Sequence, residues 1–430
     1  MMKNAILCYV VLFSAVHFSS AQTAVLYNSN SSFYTDGGAV VFVDGSIIND
    51  TSGHIQNNGS MYLTKDWTNN EVAGALNPTA GKIILAGNAQ NIRGTHATKF
   101  NNLDCQGAGT KTLHVTTIVG GTSGLLSLHN ADVSLNSNTL IVTNPASGAI
   151  TRTNGYIVSE TDPISGYGTL QWNFGNSTGN YVYPFGTSGG MYIPFFWNVT
   201  VPGIQIANGN MAVSTYPTSV TANPNNLPFP AGVTNLNDAS GKNAASSCLD
   251  RYWMINANNY SADPVADITF TYLDAEWDGS VPGSTNNFAS ENDLKGWKWN
   301  GVSWQDELPE NLNTGSNTLT VNTVSGSAPW TLKGKELICG DFFLPNAFSP
   351  NGDGHNDIFR PRNNCIKDMD MKIYNRWGNL VYETTDITQG WDGSTPKGKS
   401  GNEGVYAYEL SAKLFDGTDV IKRGTVTLLK

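Results

Sequence analysis

The sequence predicts an all-β protein in which a parallel solenoid is followed by antiparallel sandwiches. Three observations predict it. Only 13% of the 430 residues are charged and Gly numbers 45, a profile of turn-rich β-structure rather than of a helical cytosolic enzyme. Between Gly38 and Ile150 the apolar residues come in short pieces cut by Gly, Asn and Asp. Beyond Tyr156 the segments lengthen, gain aromatic rings and alternate apolar with polar at strand period.

The net charge of −10 and a pI near 5.0 argue against a nucleic-acid binder, which needs basic patches to neutralise phosphates. No block of Lys and Arg offers a hold on an anionic membrane surface. The first 21 residues read as a secretory signal peptide. Lys3 supplies the positive region, Ala5 to Val16 the apolar run, and Ser19-Ser20-Ala21 the small residues before cleavage. Cys8 follows Leu7 and lies inside the apolar run, so a lipoprotein reading fails. No later stretch reaches the length a membrane helix needs.

Taken in order, 22–155 is the solenoid-like region. Ala39–Val43 ends at Asp44-Gly45, Ser46–Ile48 at Asn49-Asp50, and His54–Gln56 at Asn57-Asn58-Gly59. Lys82–Leu85, Leu113–Val115, Leu125–Leu128, Val133–Leu135 and Thr139–Val142 continue the texture. Such pieces leave their inward side chains uncovered until the next coil stacks on them. A series of hairpins in an ordinary sandwich is the competing reading. Residues 156–240 then carry Leu170–Phe174, Tyr181–Gly186 and Tyr192–Trp197, strands of an antiparallel region that runs into a Pro- and Asn-rich linker at Thr221–Gly232. Residues 241–336 form a β-sandwich with strands near Arg251–Ile255, Ile268–Leu273, Gly296–Asn300 and Thr318–Val324. Trp297, Trp299 and Trp304 invite a carbohydrate-stacking role; the other reading is that all three fill a core.

The C-terminal stretch, 339–430, is organised around LPNAFSPNGDGHNDIFRP at 344–361. Asn351-Gly352 and Asp353-Gly354 form turns, since Asn, Asp and Gly tolerate positive φ. Pro345, Pro350 and Pro361 stiffen the segment, which also holds Phe348, Asn356 and Asp357. Further blocks follow: IYNRWGN at 373–379, with Asn375, Arg376, Trp377 and Gly378; Trp391-Asp392-Gly393; GVY at 404–406; and GTVTLLK ending at Lys430. The density of short strands fits an immunoglobulin-like sandwich. These ordered blocks resemble the type B C-terminal sorting domain of the Bacteroidota type IX secretion system, often labelled the gliding-motility-associated C-terminal domain. The resemblance implies export to the outer-membrane surface or medium, and partners in the outer-membrane translocon and a shuttle or attachment component. It makes the block residues named above candidates for targeting. Cys339 and Cys365 bracket the loop and are the expected disulfide in an oxidising compartment. Cys105 and Cys248 fall in different regions and are expected buried and free.

Little else invites chemistry. Asn351, Asp353 and Asp357 set oxygen ligands at alternate positions, a calcium habit, yet capping of backbone N–H groups explains the same residues. His54, His96, His114, His129 and His355 show no paired metal spacing. Gly107–Thr112 lacks the frame of a phosphate loop. Asp274 and Glu276 share a strand face that a surface turn also explains. The expectation is a non-enzymatic, adhesin-like or structural surface protein without a cofactor. A surface protein that binds or degrades glycans is the alternative.

Overall fold

The computed structural model describes residues 24–71, 80–160, 167–218, 226–278, 289–336, 343–362, 366–395, 398, 401–414 and 419–429. The proposed signal peptide, the Cys339–Cys365 pair, Lys430 and part of the Thr221–Gly232 linker lie outside them. The described chain is all-β, apart from single 3-10 turns at Ala245–Ser247 and Asp274–Glu276.

The solenoid is parallel, which excludes hairpins as the organising unit. About six turns coil through three faces. One face stacks seven strands from Ala24–Ser29 to Ile157–Val158, and a second stacks six from Val40–Val43 to Ile150–Arg152. The third begins with Ser32–Thr35 paired to His54–Asn57 and resumes from Thr98–Phe100 to Thr169–Trp172. On the second face Met61, Ile83, Leu103 and Leu126 stand in register, as do Leu63, Leu85, Cys105 and Leu128. All eight are buried, so each coil's apolar face is covered only by its neighbours. Cys105 is one rung of that column, buried and free. One column of inward polar side chains stacks like on like. Asn28 donates to Asn49 at 2.8 Å and Asn49 to Asn69 at 3.2 Å, a ladder that satisfies buried amides in successive coils. Coils approach so closely at Gly94, φ +138°, that a Cβ would lie 1.8 Å from Asn69 O.

The third face does not stop at the last coil. Thr169–Trp172 pairs antiparallel with Ile204–Pro217, and the sheet runs on through Arg251–Ala262, Ala328–Glu336, Ala289–Trp299 and Trp304–Glu307. A solenoid edge that would otherwise expose a row of unpaired N–H and C=O groups is thereby continued into a sandwich. The opposing five-stranded sheet contains Gly179–Tyr183, Phe195–Val201, Val265–Thr271, Thr318–Ser325 and Asn311–Asn313. Strands from either side of the Thr221–Gly232 linker thus share both sheets. Between them Phe270 meets Trp253 at 4.9 Å, Trp330 at 5.5 Å and Phe195 at 5.6 Å between ring centroids. This core is continuous with that of the solenoid.

A second, smaller core lies on the outer face of the nine-stranded sheet. There the chain from Phe229 to Cys248 covers Tyr252, Trp297, Trp299 and Trp304. The C-terminal stretch has its own core, which includes Phe348, Phe359, Met371, Ile373, Trp391, Leu410 and Val426. Its sheet orders Ala347–Phe348, Asp419–Leu428, Gly404–Leu414, Ile366–Tyr374 and Leu380–Thr384. Phe343 with Arg362 and Phe359 with Trp391 add isolated antiparallel bridges.

Candidate functional site: one end of the C-terminal sheet

Register brings separate sequence blocks to one end of this sheet. Phe348 and Gly404 both align with Leu428, and Tyr374 aligns with Ala407. The 349–357 loop, the 375–379 turn and the chain's final residues therefore leave from the same edge. Trp391-Asp392-Gly393 joins them: a Cβ on Gly393, φ +79°, would meet Leu428 at 3.0 Å and Pro350 at 3.2 Å.

The block residues divide into two kinds. Pro345, Phe348 and Trp391 are buried and hold the end together. Trp391 is 0% exposed, donates from Nε1 to Ser394 O at 2.7 Å, and meets Tyr406 at 4.7 Å and Phe348 at 5.2 Å. Beside it Asp392 accepts from Ser394 N at 2.9 Å, and the Ser394 hydroxyl and amide hold its carboxyl below the usual range. The remaining blocks shape exposed turns. Asn375 Oδ1 accepts from Trp377 N at 2.9 Å and Asn379 N at 3.0 Å, and Gly378 takes φ +77°. The turn is closed by Asn375, so Arg376 and Trp377 are left exposed, Trp377 at 80%.

In the Asn351–Asp357 loop the oxygens face the backbone. Asp357 Oδ1 accepts from Gly352 N at 2.7 Å and its Oδ2 from Gly354 N at 2.9 Å. Asp353 Oδ1 accepts from His355 N at 2.7 Å, and Asn351 Oδ1 from Asp353 N at 3.1 Å. Gly352, Gly354 and Asn356 take φ of +79°, +82° and +52°. These bonds cap the loop's backbone amides from its own side chains. Among the described residues no group of three or more His, Cys, Asp and Glu is placed to hold a metal.

Residues 342–428 match the family described as the CHU_C type IX secretion signal domain. Over these residues the chain carries a type IX secretion signal domain, built, among the described residues, on one five-stranded sheet instead of the expected pair of packed sheets. No curated protein matches the chain. The secretion signal domain implies export to the cell surface or extracellular space and contact with the type IX machinery.

Elsewhere the structure sorts the other candidates. Trp297, Trp299 and Trp304 are buried, and Trp304 Nε1 donates to Asn235 O at 2.7 Å, so none offers a face to a sugar. Lys111, in the stretch that looks superficially like a phosphate loop, is fully buried. Its Nζ donates to Gly87 O and Asn88 O, both at 2.6 Å, and burial pushes the ammonium down to about 8. Asp274 and Glu276 part company: Asp274 accepts from Asn317 at 2.8 Å, while Glu276 is buried against Arg251. Cys248 is buried and free, its thiol pushed up by burial.

Two constellations escape sequence reading. One is the buried Glu160–Arg251–Glu276 group, whose members are far apart in the chain. The other is a lysine-bordered cleft on the outer sheet face. Its one sequence signal is the alternation of Lys333 and Lys335 in a charge-poor chain.

Proposed function

We propose that the chain is a secreted or cell-surface protein without catalytic activity, adhesin-like or structural, and that gliding motility is among the processes it would serve. The observation that carries this reading is the pair of separate cores. One long core unites solenoid and sandwich, while the secretion signal domain closes its own. An address with a core of its own suits recognition as a unit by the outer-membrane translocon and by a shuttle or attachment component. The surface it would present is the sheet end where the 349–357 loop, Arg376 and Trp377 converge.

A Cys339–Cys365 disulfide belongs to the same reading. Phe343 and Arg362 pair across the mouth of the segment that the two cysteines flank in sequence, Arg362 N donating to Phe343 O at 2.9 Å. Peptide mapping of the exported protein without reductant tests it. Deletion of residues 343–430 tests export: in a host with type IX secretion the truncated chain should remain in the periplasm. Surface labelling equal to that of the intact protein would overturn the proposal. Glycan binding is the second reading, favoured by the lysine cleft.

A further inference from the structure

The outer face of the nine-stranded sheet is half covered. Over Trp297 and Trp299 lies the 229–248 segment; beyond that cover the same face turns basic. Lys295 lies directly opposite Lys333 on the neighbouring strand, and Lys335 follows two residues on, which returns it to the same face. Lys242 approaches from the covering segment. The four border a cleft of about 500 Å³, within the size range of ligand sites.

Its construction sets it apart from ordinary surface. Like charges directly opposite each other in a sheet are destabilising, here offset at Lys295 by Asp306, and cations are the minority in the chain, 24 Lys and Arg against 34 Asp and Glu. The strands are also bulged at this point, register shifting between Ser290 and Lys295. Gly334 fits the bulge, since a Cβ there would lie 2.7 Å from Ser290 O. Bulges of this kind re-aim side chains beside sites. The lysines are held in place: Lys295 is paired with Asp306, and Lys333 Nζ sits 4.6 Å from the centroid of the Trp297 ring. Of the two acidic residues in the lining, Asp238 is tied to its own loop, accepting from Ser240 Oγ at 2.6 Å, Ser240 N at 2.9 Å and Lys242 N at 3.0 Å, while its charge also faces Lys333. Asp293 lies exposed on the bulge.

We infer that this cleft binds the acid groups, carboxylate or sulfate ester, of an anionic polysaccharide. The inference rests on the reading of the chain as an exported surface protein, for which extracellular polymers are the available ligands. Ammonium groups act as point charges that pair with single anionic oxygens. The nearby tryptophans are buried, so stacking on neutral sugars has no platform, and the same lack counts against single-stranded nucleic acid.

The test is calorimetric titration of the purified full-length chain with polygalacturonate, dextran sulfate, neutral dextran and a DNA duplex. Binding to one or both acidic polymers is expected, weakening as salt rises, with none to neutral dextran. The polymer preferred assigns the acid group. Lys242→Gln with Lys335→Gln alters two exposed side chains and leaves the fold, checked by near-UV circular dichroism, unchanged; it should weaken binding about tenfold or more, by analogy with the loss of two charge contacts. Lys333→Arg with Lys335→Arg keeps the charge and should retain binding. Failure to bind either acidic polymer, an undiminished affinity in the glutamine variant, or equal affinity for DNA overturns the inference. Because binding is read on purified protein, such a failure leaves the export reading standing.

Discussion

Arg251 Nη2 lies 2.7 Å from Glu160 Oε1, joining the last solenoid coil to a central strand of the sandwich. The guanidinium is only 1% exposed, and it also donates from Nε to Glu276 Oε1 at 2.6 Å and from Nη1 to the Thr215 hydroxyl at 3.1 Å. Glu160 in turn accepts from Ser188 N at 2.9 Å. Removing the cation strands two buried carboxylates. Arg251→Met is therefore expected to cost about 3–5 kcal/mol, the range for breaking a buried ion pair from one side. Urea denaturation measures it. A loss below about 1 kcal/mol would mean that water already serves these carboxylates.

The same group predicts a pH dependence. With both carboxylates ionised the three charges sum to −1, and burial pushes the Glu276 carboxyl from 4.5 up to about 6 against the pull of Arg251. A carboxyl raised on folding binds its proton more tightly in the native state. Its stabilising contribution is thus complete below about 4.5 and lost as pH rises through about 6. Glu276→Gln mimics the protonated form and cannot titrate. Relative to that variant, the wild-type melting temperature should fall between pH 4.5 and 6; parallel curves across this window would refute the assignment.

How much of this was legible depended on range. The solenoid's inward positions were visible because Met61, Leu63, Ile83 and Leu85 recur within short apolar pieces. Coil register was not, since successive coils differ in length: Ile47 aligns with Trp67, 20 residues on, and Trp67 with Ile92, 25 residues on. The C-terminal sequence blocks were readable as motifs. That Pro350, Gly393 and Leu428 meet at one sheet end follows only from strand pairing. Trp297, Trp299 and Trp304 were ambiguous because a covered sheet face and a sugar platform share one alternation pattern. The segment that covers them, carrying Leu236 and Ala244, supplies the answer from outside that pattern.

The Asn351–Asp357 loop yields a prediction about metal. With both Asp357 oxygens engaged by backbone amides, Asp357→Ala should cost about 1 kcal/mol, as for loss of a cap at a helix start. Stripping divalent ions with EDTA should leave the melting temperature of the intact chain unchanged. A fall on EDTA treatment that added calcium restores would show that these oxygens turn to a cation.

Two tryptophans of the secretion signal domain separate folding from recognition. Trp391 is wholly buried among Phe348, Phe359 and Tyr406, so Trp391→Ala should cost about 3–5 kcal/mol through cavity and lost transfer energy. Export would fall because the address unfolds. Trp377 is 80% exposed on a turn that Asn375 closes without its help, so Trp377→Ala should shift stability by no more than about 0.5 kcal/mol. Its expected effect is on export: fewer molecules reach the surface and more accumulate in the periplasm, although the protein melts as the wild type does. Immunolabelling of whole cells beside periplasmic fractions measures both. Full export of Trp377→Ala would move the recognition surface away from this sheet end, while a destabilised Trp377→Ala would place the ring in the fold instead.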